Sequence, residues 1–456
     1  MITAGHSAAR RLLVITYHFP PDGTIGGQRW AGLSKYLVRL GWEVHIVTAS
    51  PAGRNEEVPG LHRHVCARRR TLNDIYRARI ARSRKAAPPP ASVGDDSGYR
   101  RKSRAAEVLS TIRRALGSSL SLPDHGRGWV LRATAEARRL LKDHEFDCVI
   151  SSGPPHSAHL AGLLATFDRQ TDFWIDMRDP WSITHEMNTP EDGFIRAERR
   201  LLARFEGLIF PRAAKVFANT REFAAALRAS QPNLKVAHFP NGIDLEQLPA
   251  RDPSAVDHGS IAYIGTLYAG RTLTSVFAAM RSILEVQPAT AGALRLTVAG
   301  PLESPHRERM HADIEAAGLT SVVNVLGVIP RDRALQLLSR AHLALVLAQD
   351  QPLCVPAKLY ECVGLGVPTL VIAEPQSAAA CEARRIGAMT ADPDDVGALS
   401  SLFSDMLAGR VPKKIDPALP ISYEELAAEM DRLLGQRVPR LRPQTDAIRK
   451  ALPLQL

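Results

Sequence analysis

The sequence predicts an α/β protein made of two doubly wound, parallel-sheet domains that face each other across a cleft. Apolar runs of strand length alternate with segments of helical period along most of the chain. The turn sequence NGID at 241–244 interrupts this alternation, leaving two series of about 200 residues each. A chain of 456 residues is also long enough for two or three domains.

The first series begins with an apolar run that is typical of a buried parallel strand. Strands are predicted at 11–17, 42–48, 146–152, 172–177, 215–220 and 234–240. Helices are predicted at 28–41, 127–142, 156–167, around 196–205 and up to residue 230. The first of these ends on Gly41, a residue type that favours helix termination. The predicted N-terminal domain is 1–240.

The second series repeats the pattern and predicts a second doubly wound domain at 241–415. Its strands are predicted at 260–267, 294–300, 322–327, 341–348 and 368–372, with helices between them. Residues 416–456 hold a last predicted helix, 423–434, and a basic tail that can cross back to the N-terminal domain. Ligands of such sheets bind at the carboxyl ends of the strands.

The composition is that of an ordinary soluble globular protein, with 45% hydrophobic and 23% charged residues. No apolar run reaches the roughly 18 residues that a membrane span needs, and the first ten residues do not resemble a signal peptide. The five cysteines are scattered without a CxxC pair, which favours reduced thiols over disulfides or zinc. A cytoplasmic location is therefore expected.

The net charge of +11 comes from one segment. Between residues 63 and 114 there are 15 Lys/Arg and 4 Asp/Glu, so the rest of the chain is neutral overall. We expect a basic insert at about 63–120, with a proline-containing loop at its centre. Its second flank, near 100–117, combines apolar residues at helical spacing with basic ones. This pattern predicts peripheral binding to an anionic membrane surface, with a solvated loop as the alternative.

Nucleic acid is not an expected partner. The basic insert has few aromatic residues and no recognisable nucleic-acid module. A non-enzymatic nucleic-acid-binding protein therefore remains only the alternative of a different class.

Chemistry-bearing residues of the second half follow predicted strands. Arg271 comes shortly after IGTL. The stretches VAGP and LGVIP each place a glycine just past the end of a predicted strand. Pro356 suits the first turn of a helix, whose open N-terminus favours an anion such as a diphosphate. Lys358 and Arg271 can add positive charge, and Glu361 can accept hydrogen bonds from the vicinal hydroxyls of a ribose. This combination describes a nucleotide-sugar site.

Each of these residues also has a structural interpretation. Lys358 and Glu361 can form a surface ion pair of little energetic value, and Arg271 can be a solvated residue at a helix start. His156 follows SGPP at a strand-to-helix junction, where it can meet the acceptor or have no chemical role. Arg178 and Asp179 can line the site or form a structural turn.

An acidic stretch, DPDD at 392–395, has the form of a metal-binding DxD motif. It directly precedes a helical segment, which makes helix N-capping the favoured interpretation. We therefore expect neither a catalytic metal nor a cofactor.

Taken in order, the motifs resemble a known family. NGID, YIGTL with Arg271, LTVAGP, VNVLGVIP and KLYECVGLGVPTLVI have the order and spacing of GT-B glycosyltransferases of the large retaining family 4, or group 1. The N-terminal YHFPPDGTIGGQRWAGLSKYLVRLGWEVHIVT resembles that family's opening strand, glycine loop and first helix. ISSGPPHSAHLAGLL and FWIDMRDPW resemble a subset linked to bacterial surface-polysaccharide synthesis. The resemblance covers nearly the whole chain apart from the basic insert and the tail.

The resemblance implies roles for particular residues. Glu361 matches the glutamate that binds the ribose hydroxyls, and Arg271 matches the basic residue on the donor diphosphate. Gly26 and Gly27 match the loop that approaches the donor phosphates and the acceptor. His156, Arg178 and Asp179 are expected on the acceptor side with Gly27.

The donor side is completed by Gly265 and Thr266 of YIGTL and by Lys358 and Leu359 of KLYE. Two positions depart from the family pattern: Cys354 stands where many members carry a glutamate that touches the donor sugar, and Thr266 stands where an arginine is common. Lys358 is interpreted as a compensating contact to the diphosphate or the sugar.

The resulting expectation is a retaining glycosyltransferase that moves a sugar from a nucleotide-diphosphate sugar to a hydroxyl acceptor. A lipid-linked saccharide of cell-surface polysaccharide or glycolipid synthesis is the expected acceptor. Arg271, Lys358 and His156 are the candidate catalytic residues, and the resemblance implies front-face substitution without a metal. A nucleotide-sugar 2-epimerase of the same fold is the alternative enzyme.

Overall fold

The computed structural model describes residues 10–22, 25–51, 58–71, 74, 122–183, 193–268, 270–286, 292–412, 414 and 422–436. The predicted amphipathic part of the basic insert, 100–117, and the basic tail beyond residue 436 lie outside these ranges.

Strands and helices alternate through both halves of the described chain. The strands are β1 Arg10–Thr16, β2 Trp42–Thr48, β3 Leu61–Val65, β4 Cys148–Gly153, β5 Asp172–Met177, β6 Lys215–Ala218, β7 Val236–His238, β8 Asp257–Ile264, β9 Arg295–Ala299, β10 Val323–Gly327, β11 Ala341–Leu347, β12 Thr369–Ile372 and β13 Met389–Ala391. The α-helices are α1 Ile25–Arg39, α2 Val130–Asp143, α3 Ser157–Thr166, α4 Gly193–Ile209, α5 Arg221–Ser230, α6 Thr274–Val286, α7 His306–Ala316, α8 Arg331–Arg340, α9 Ala357–Gly364, α10 Ala378–Arg385, α11 Val396–Leu407 and α12 Tyr423–Gly435.

The N-terminal sheet has seven parallel strands in the order β3-β2-β1-β4-β5-β6-β7. The strand order reverses between β1 and β4, where Leu12 pairs with Cys148 and Val14 with Ile150. The inner strands are apolar on both faces because helices cover both faces, as the unbroken apolar run of β1 predicts. Such a reversal is where doubly wound sheets bind their ligands.

The C-terminal sheet has six parallel strands in the corresponding order β10-β9-β8-β11-β12-β13. It reverses between β8 and β11, and all seven residues of β11 are buried. The two-domain, parallel α/β architecture predicted from the sequence is therefore confirmed.

Some elements differ from the sequence prediction. Strand β3 lies at the sheet edge, in a stretch that overlaps the predicted basic insert, and β13 was not predicted at all. Helix α4 is longer than predicted, and the predicted helix at 127–142 begins as the 3₁₀ turn His125–Trp129. The N-capping interpretation of DPDD is confirmed, since Asp395 Oδ1 accepts a hydrogen bond from the Ala398 amide at 2.8 Å.

The last described helix, α12, packs against α1 of the N-terminal domain. It begins with a capping box made by Ser422 and Glu425. The Tyr423 amide donates to the Ile243 carbonyl at 2.9 Å, which ties α12 to the segment between the two sheets. No described helix is both long and apolar enough to cross a bilayer.

Candidate active site

A cleft of about 600 Å³ opens between the two domains, where loops after the strands of both sheets meet. Most of the residues predicted from the sequence line this cleft. They are Gly26, His156, Arg178, Asp179, Arg271, Lys358 and Glu361.

The carboxylate of Glu361 sits in the cleft wall between two cations. Pro356 precedes α9, so Glu361 falls in the second turn of that helix. Only 5% of its side chain is exposed, and its Oε1 accepts from Arg331 Nη1 at 2.8 Å. Lys358 Nζ contacts the other oxygen, Oε2. The ion pair of Lys358 with Glu361 therefore exists, but it borders the cleft and has a buried carboxylate.

The second cation, Arg331, was not predicted. It is the first residue of α8 and directly follows LGVIP, one of the strand-end stretches recognised in the sequence. The sequence did contain a signal for Arg331 as a site residue, namely its position at the start of a helix just after a strand end. Its pairing with Glu361 could not be read from the sequence because the partners belong to different elements.

Arg271 lies in the loop between β8 and α6, three residues before the helix. Its Nη2 donates to Gln351 Oε1 at 3.0 Å, and its guanidinium lies 4.5 Å from the Tyr268 ring centroid. Gln351 in turn donates to the Tyr268 hydroxyl. The buried Nε of Arg271 has no hydrogen-bond partner among the described residues. Arg271 is thus an oriented residue of the cleft and not a solvated one.

Arg178 combines the two roles that the sequence left open. Its backbone N–H and its Nε both donate to the Gly153 carbonyl, at 2.9 and 3.3 Å, and its Nη2 donates to Pro154. Burial lowers its pKa. A Cβ on Gly26 would collide with Arg178 Nη1, so any larger residue there would have to displace the guanidinium. Arg178 therefore holds the loop after β4 and also lines the cleft.

His156 precedes α3, with its ring stacked on Trp181 at 4.9 Å. Its neighbour His159 is fully buried, and Ser151 Oγ lies 2.9 Å from its Nδ1. Burial lowers the pKa of His159 to about 3. The structure thus places His156 in the wall of the cleft and His159 behind it.

Four predicted residues do not line the cleft. Leu359 is fully buried in the C-terminal core, since its side chain points away from the cleft face of α9. Gly27 is buried, and a Cβ there would lie 3.1 Å from Phe19 Cα, so it serves close packing. The carbonyl of Thr266 accepts from the Tyr263 hydroxyl at 2.9 Å. Gly265 makes a close backbone approach to Gly300.

A buried ion pair that borders the cleft through Arg29 was also missed. Arg29 and Asp176 are each 2% exposed and pair through two hydrogen bonds, at 2.9 and 3.1 Å. Burial opposes ionisation of Asp176, but the Arg29 charge and hydrogen bonds keep its pKa below the usual range. Arg29 Nη1 also donates to the Pro240 carbonyl at 2.5 Å and to Asn241 Oδ1 at 3.1 Å. The pair thus joins the first domain to the connecting segment.

Residues 26–242, which include α1 and the strands from β2 to β7, match the family described as Glycosyl transferase 4-like domain. The chain is a glycosyltransferase of the GT-B fold. No curated protein matches this glycosyltransferase significantly.

Several solved structures have the same fold. Sucrose-phosphate synthase from Thermosynechococcus elongatus is 15% identical, with 93% of this chain and 98% of that chain covered and a TM-score of 0.59. The UDP-forming α,α-trehalose-phosphate synthase from Burkholderia xenovorans is 12% identical, with coverages of 94% and 100% and a TM-score of 0.59. HepE from Anabaena in complex with UDP-glucose is 13% identical, with coverages of 92% and 94% and a TM-score of 0.54. At these identities the likeness establishes that this glycosyltransferase shares their two-domain fold.

Proposed function

We propose that this glycosyltransferase moves a sugar, with retention of anomeric configuration, from a nucleotide-diphosphate sugar to a hydroxyl acceptor. The observation that carries the proposal is the Glu361 carboxylate, buried in the cleft wall and in contact with both Arg331 and Lys358. A carboxylate offers about four lone-pair sites, of which these cations use two. The remaining sites suit the vicinal hydroxyls of a ribose.

The donor diphosphate would lie at the N-terminus of α9, near Lys358 and Arg271. The first amides of a helix point outward without intrahelical partners and favour an anion. All three features border the same cleft. The UDP-glucose complex of Anabaena HepE, which has the same fold, supports a nucleotide-sugar donor.

The chemistry then rests on stabilising the charge that develops on the leaving diphosphate. Arg271 is held by Tyr268 and Gln351 before any substrate binds, so its charge is preorganised. Lys358 adds a second positive charge. The leaving phosphate can itself accept the proton of the acceptor hydroxyl, as the family resemblance implies. No separate base or metal ion is required in this scheme.

The acceptor would enter from the N-terminal domain, where Gly26, His156, Arg178 and Asp179 line the cleft. The resemblance of the β4 and β5 regions to surface-polysaccharide enzymes suggests a lipid-linked saccharide as the acceptor. Lipid-linked acceptors lie at an anionic membrane surface, and the basic insert of the N-terminal domain would bind the protein to that surface. We therefore propose action at the inner face of the cell membrane.

A donor panel tests this proposal. The purified chain is incubated with UDP-, GDP- and other nucleotide-activated hexoses, and the released nucleotide and the sugar anomer are measured. We expect one donor to release its nucleoside diphosphate with retained configuration, with and without EDTA, and Glu361→Ala to be impaired. Failure of every nucleoside diphosphate to bind the wild-type chain would refute the proposal, as would sugar interconversion without transfer.

A further inference from the structure

A second polar cluster lies on the sheet of the N-terminal domain and does not border the cleft. Glu43 and His45 alternate along β2, and His62 and His64 alternate along the edge strand β3. Residues two apart on a strand share a face, and His45 pairs in register with His62. The four side chains therefore meet on one face of the sheet, next to Glu136 of α2.

Three atoms of this cluster converge on one point. Glu43 Oε1 lies 3.2 Å from His45 Nε2 and 3.3 Å from His62 Nε2, and all three atoms are within 4.8 Å of one another. A tetrahedral metal with bonds of about 2.0–2.1 Å holds its ligand atoms roughly 3.4 Å apart. The spacing fits two imidazoles and one carboxylate around such an ion.

Surrounding hydrogen bonds orient two of these groups, Glu43 and His45, as those of a metal site do. Arg11 Nε donates to the second carboxylate oxygen of Glu43 at 2.6 Å. His45 Nδ1 lies 3.1 Å from His64 Nε2, and His64 Nδ1 lies 3.2 Å from Glu136 Oε1. Metal-binding histidines commonly use their second nitrogen in this way, toward an acceptor that fixes the tautomer.

When both rings are neutral, one hydrogen-bond contact of the cluster has no proton to fill it. Three contacts run in a row from Glu43 through His45 and His64 to Glu136. Two neutral imidazoles supply only two N–H protons for these three contacts. With the protons on the two contacts nearer Glu136, the His45 Nε2 lone pair faces the Glu43 carboxylate, as in a pair of metal ligands.

We propose that Glu43, His45 and His62 form a binding site for a divalent transition metal, with zinc the best match. A nitrogen and oxygen donor set of this kind suits zinc, and a water molecule would complete four-coordination. The His62 side chain is 47% exposed, which leaves an entry path from solvent, whereas His45 is almost fully buried. The ion would join β3, an edge strand with little apolar surface, to β2.

Metal titration of the full chain without a histidine tag tests this site. The protein is stripped with EDTA, dialysed, and titrated with Zn²⁺ by calorimetry and with Co²⁺ by visible absorption. We expect one Zn²⁺ per chain and the visible bands of four-coordinate Co²⁺. His62→Ala should weaken binding by at least about 100-fold, and His64→Ala by about 10- to 100-fold.

His311→Ala is the matched control, since His311 is an exposed histidine of α7 in the other domain. It should bind Zn²⁺ like the wild type. Because His62 is half exposed, its variant is expected to fold, which far-UV circular dichroism checks. The proposal is overturned if the wild-type chain binds no stoichiometric metal, or if His62→Ala binds Zn²⁺ with wild-type affinity.

Discussion

Replacing Glu361 by alanine should weaken donor binding strongly and folding only slightly. Its partners Arg331 and Lys358 are 45% and 26% exposed, so both charges can return to water once the carboxylate is gone. We therefore expect the free energy of unfolding to fall by less than about 2 kcal/mol. Loss of the charge-assisted hydrogen bonds to the ribose should cost about 1.5–3 kcal/mol of binding, a factor of roughly 10 to 160 in Kd.

Calorimetry with UDP and GDP measures this effect, and an analogue isolates its origin. The 2′,3′-dideoxy form of the tighter-binding nucleotide has the same diphosphate but no ribose diol. The wild-type chain should bind this analogue about as weakly as Glu361→Ala binds the normal nucleotide, and the substitution should add little further loss. Urea unfolding of both proteins provides the stability control.

Two results would contradict this reasoning. If Glu361→Ala bound UDP and GDP with wild-type affinity, Glu361 would be a structural ion-pair member only. If the loss were equally large for the dideoxy analogue, the carboxylate would act by positioning the cations around the diphosphate and not through the ribose.

Four further changes test other parts of the protein. Arg271→Ala should lower turnover by roughly 10²-fold in steady-state kinetics, with partial recovery in Arg271→Lys; wild-type rates in both would exclude a catalytic role. Asp176→Asn should reduce the free energy of unfolding in urea by about 3–5 kcal/mol, since it leaves Arg29 buried without its counter-charge, and a loss under 1 kcal/mol would contradict this. His159 has a folded-state pKa below its unfolded value of about 6.5, so its contribution to stability is complete above that pH and is lost toward pH 3; His159→Gln should flatten this slope in acid unfolding. Anionic liposomes should sediment the wild-type chain at low salt but not a variant with glutamine at Arg101, Lys102, Arg104, Arg113 and Arg114.

The fold was predictable because its inner strands are buried on both faces. Strand β11 is apolar at every position except His342 for that reason, and the helices between the strands keep a regular period. The edge strand β3 offers no such signal. Its sequence, LHRHV, is polar at three of five positions, and backbone pairing with β2 holds it in place. Sequence patterns that report apolar burial cannot detect a strand of this kind.

The candidate site was predictable where one short segment supplies it. Pro356, Lys358 and Glu361 belong to a single helix start, so their spacing alone placed them together. Reasoning from the same short segment also predicted Leu359 as a site residue, but its side chain is buried in the core. Arg331 and the pair of Arg29 with Asp176 depend on elements brought together by the fold. For the second pair, the sign available in the sequence was Asp176, an ionisable residue inside the apolar strand FWIDM.

The cations of the cleft differ in how far neighbouring groups of the protein already balance their charge. Glu361 already engages Arg331 and Lys358 before a donor binds, so much of their charge is balanced within the protein. Arg271 is different, because its contacts are the neutral groups of Gln351 and Tyr268, and its buried Nε has no partner among the described residues. In the proposed reaction, a diphosphate that gains negative charge in the transition state would therefore meet at Arg271 a positive charge that Glu361 does not balance. This is why Arg271, more than Lys358, is expected to control turnover.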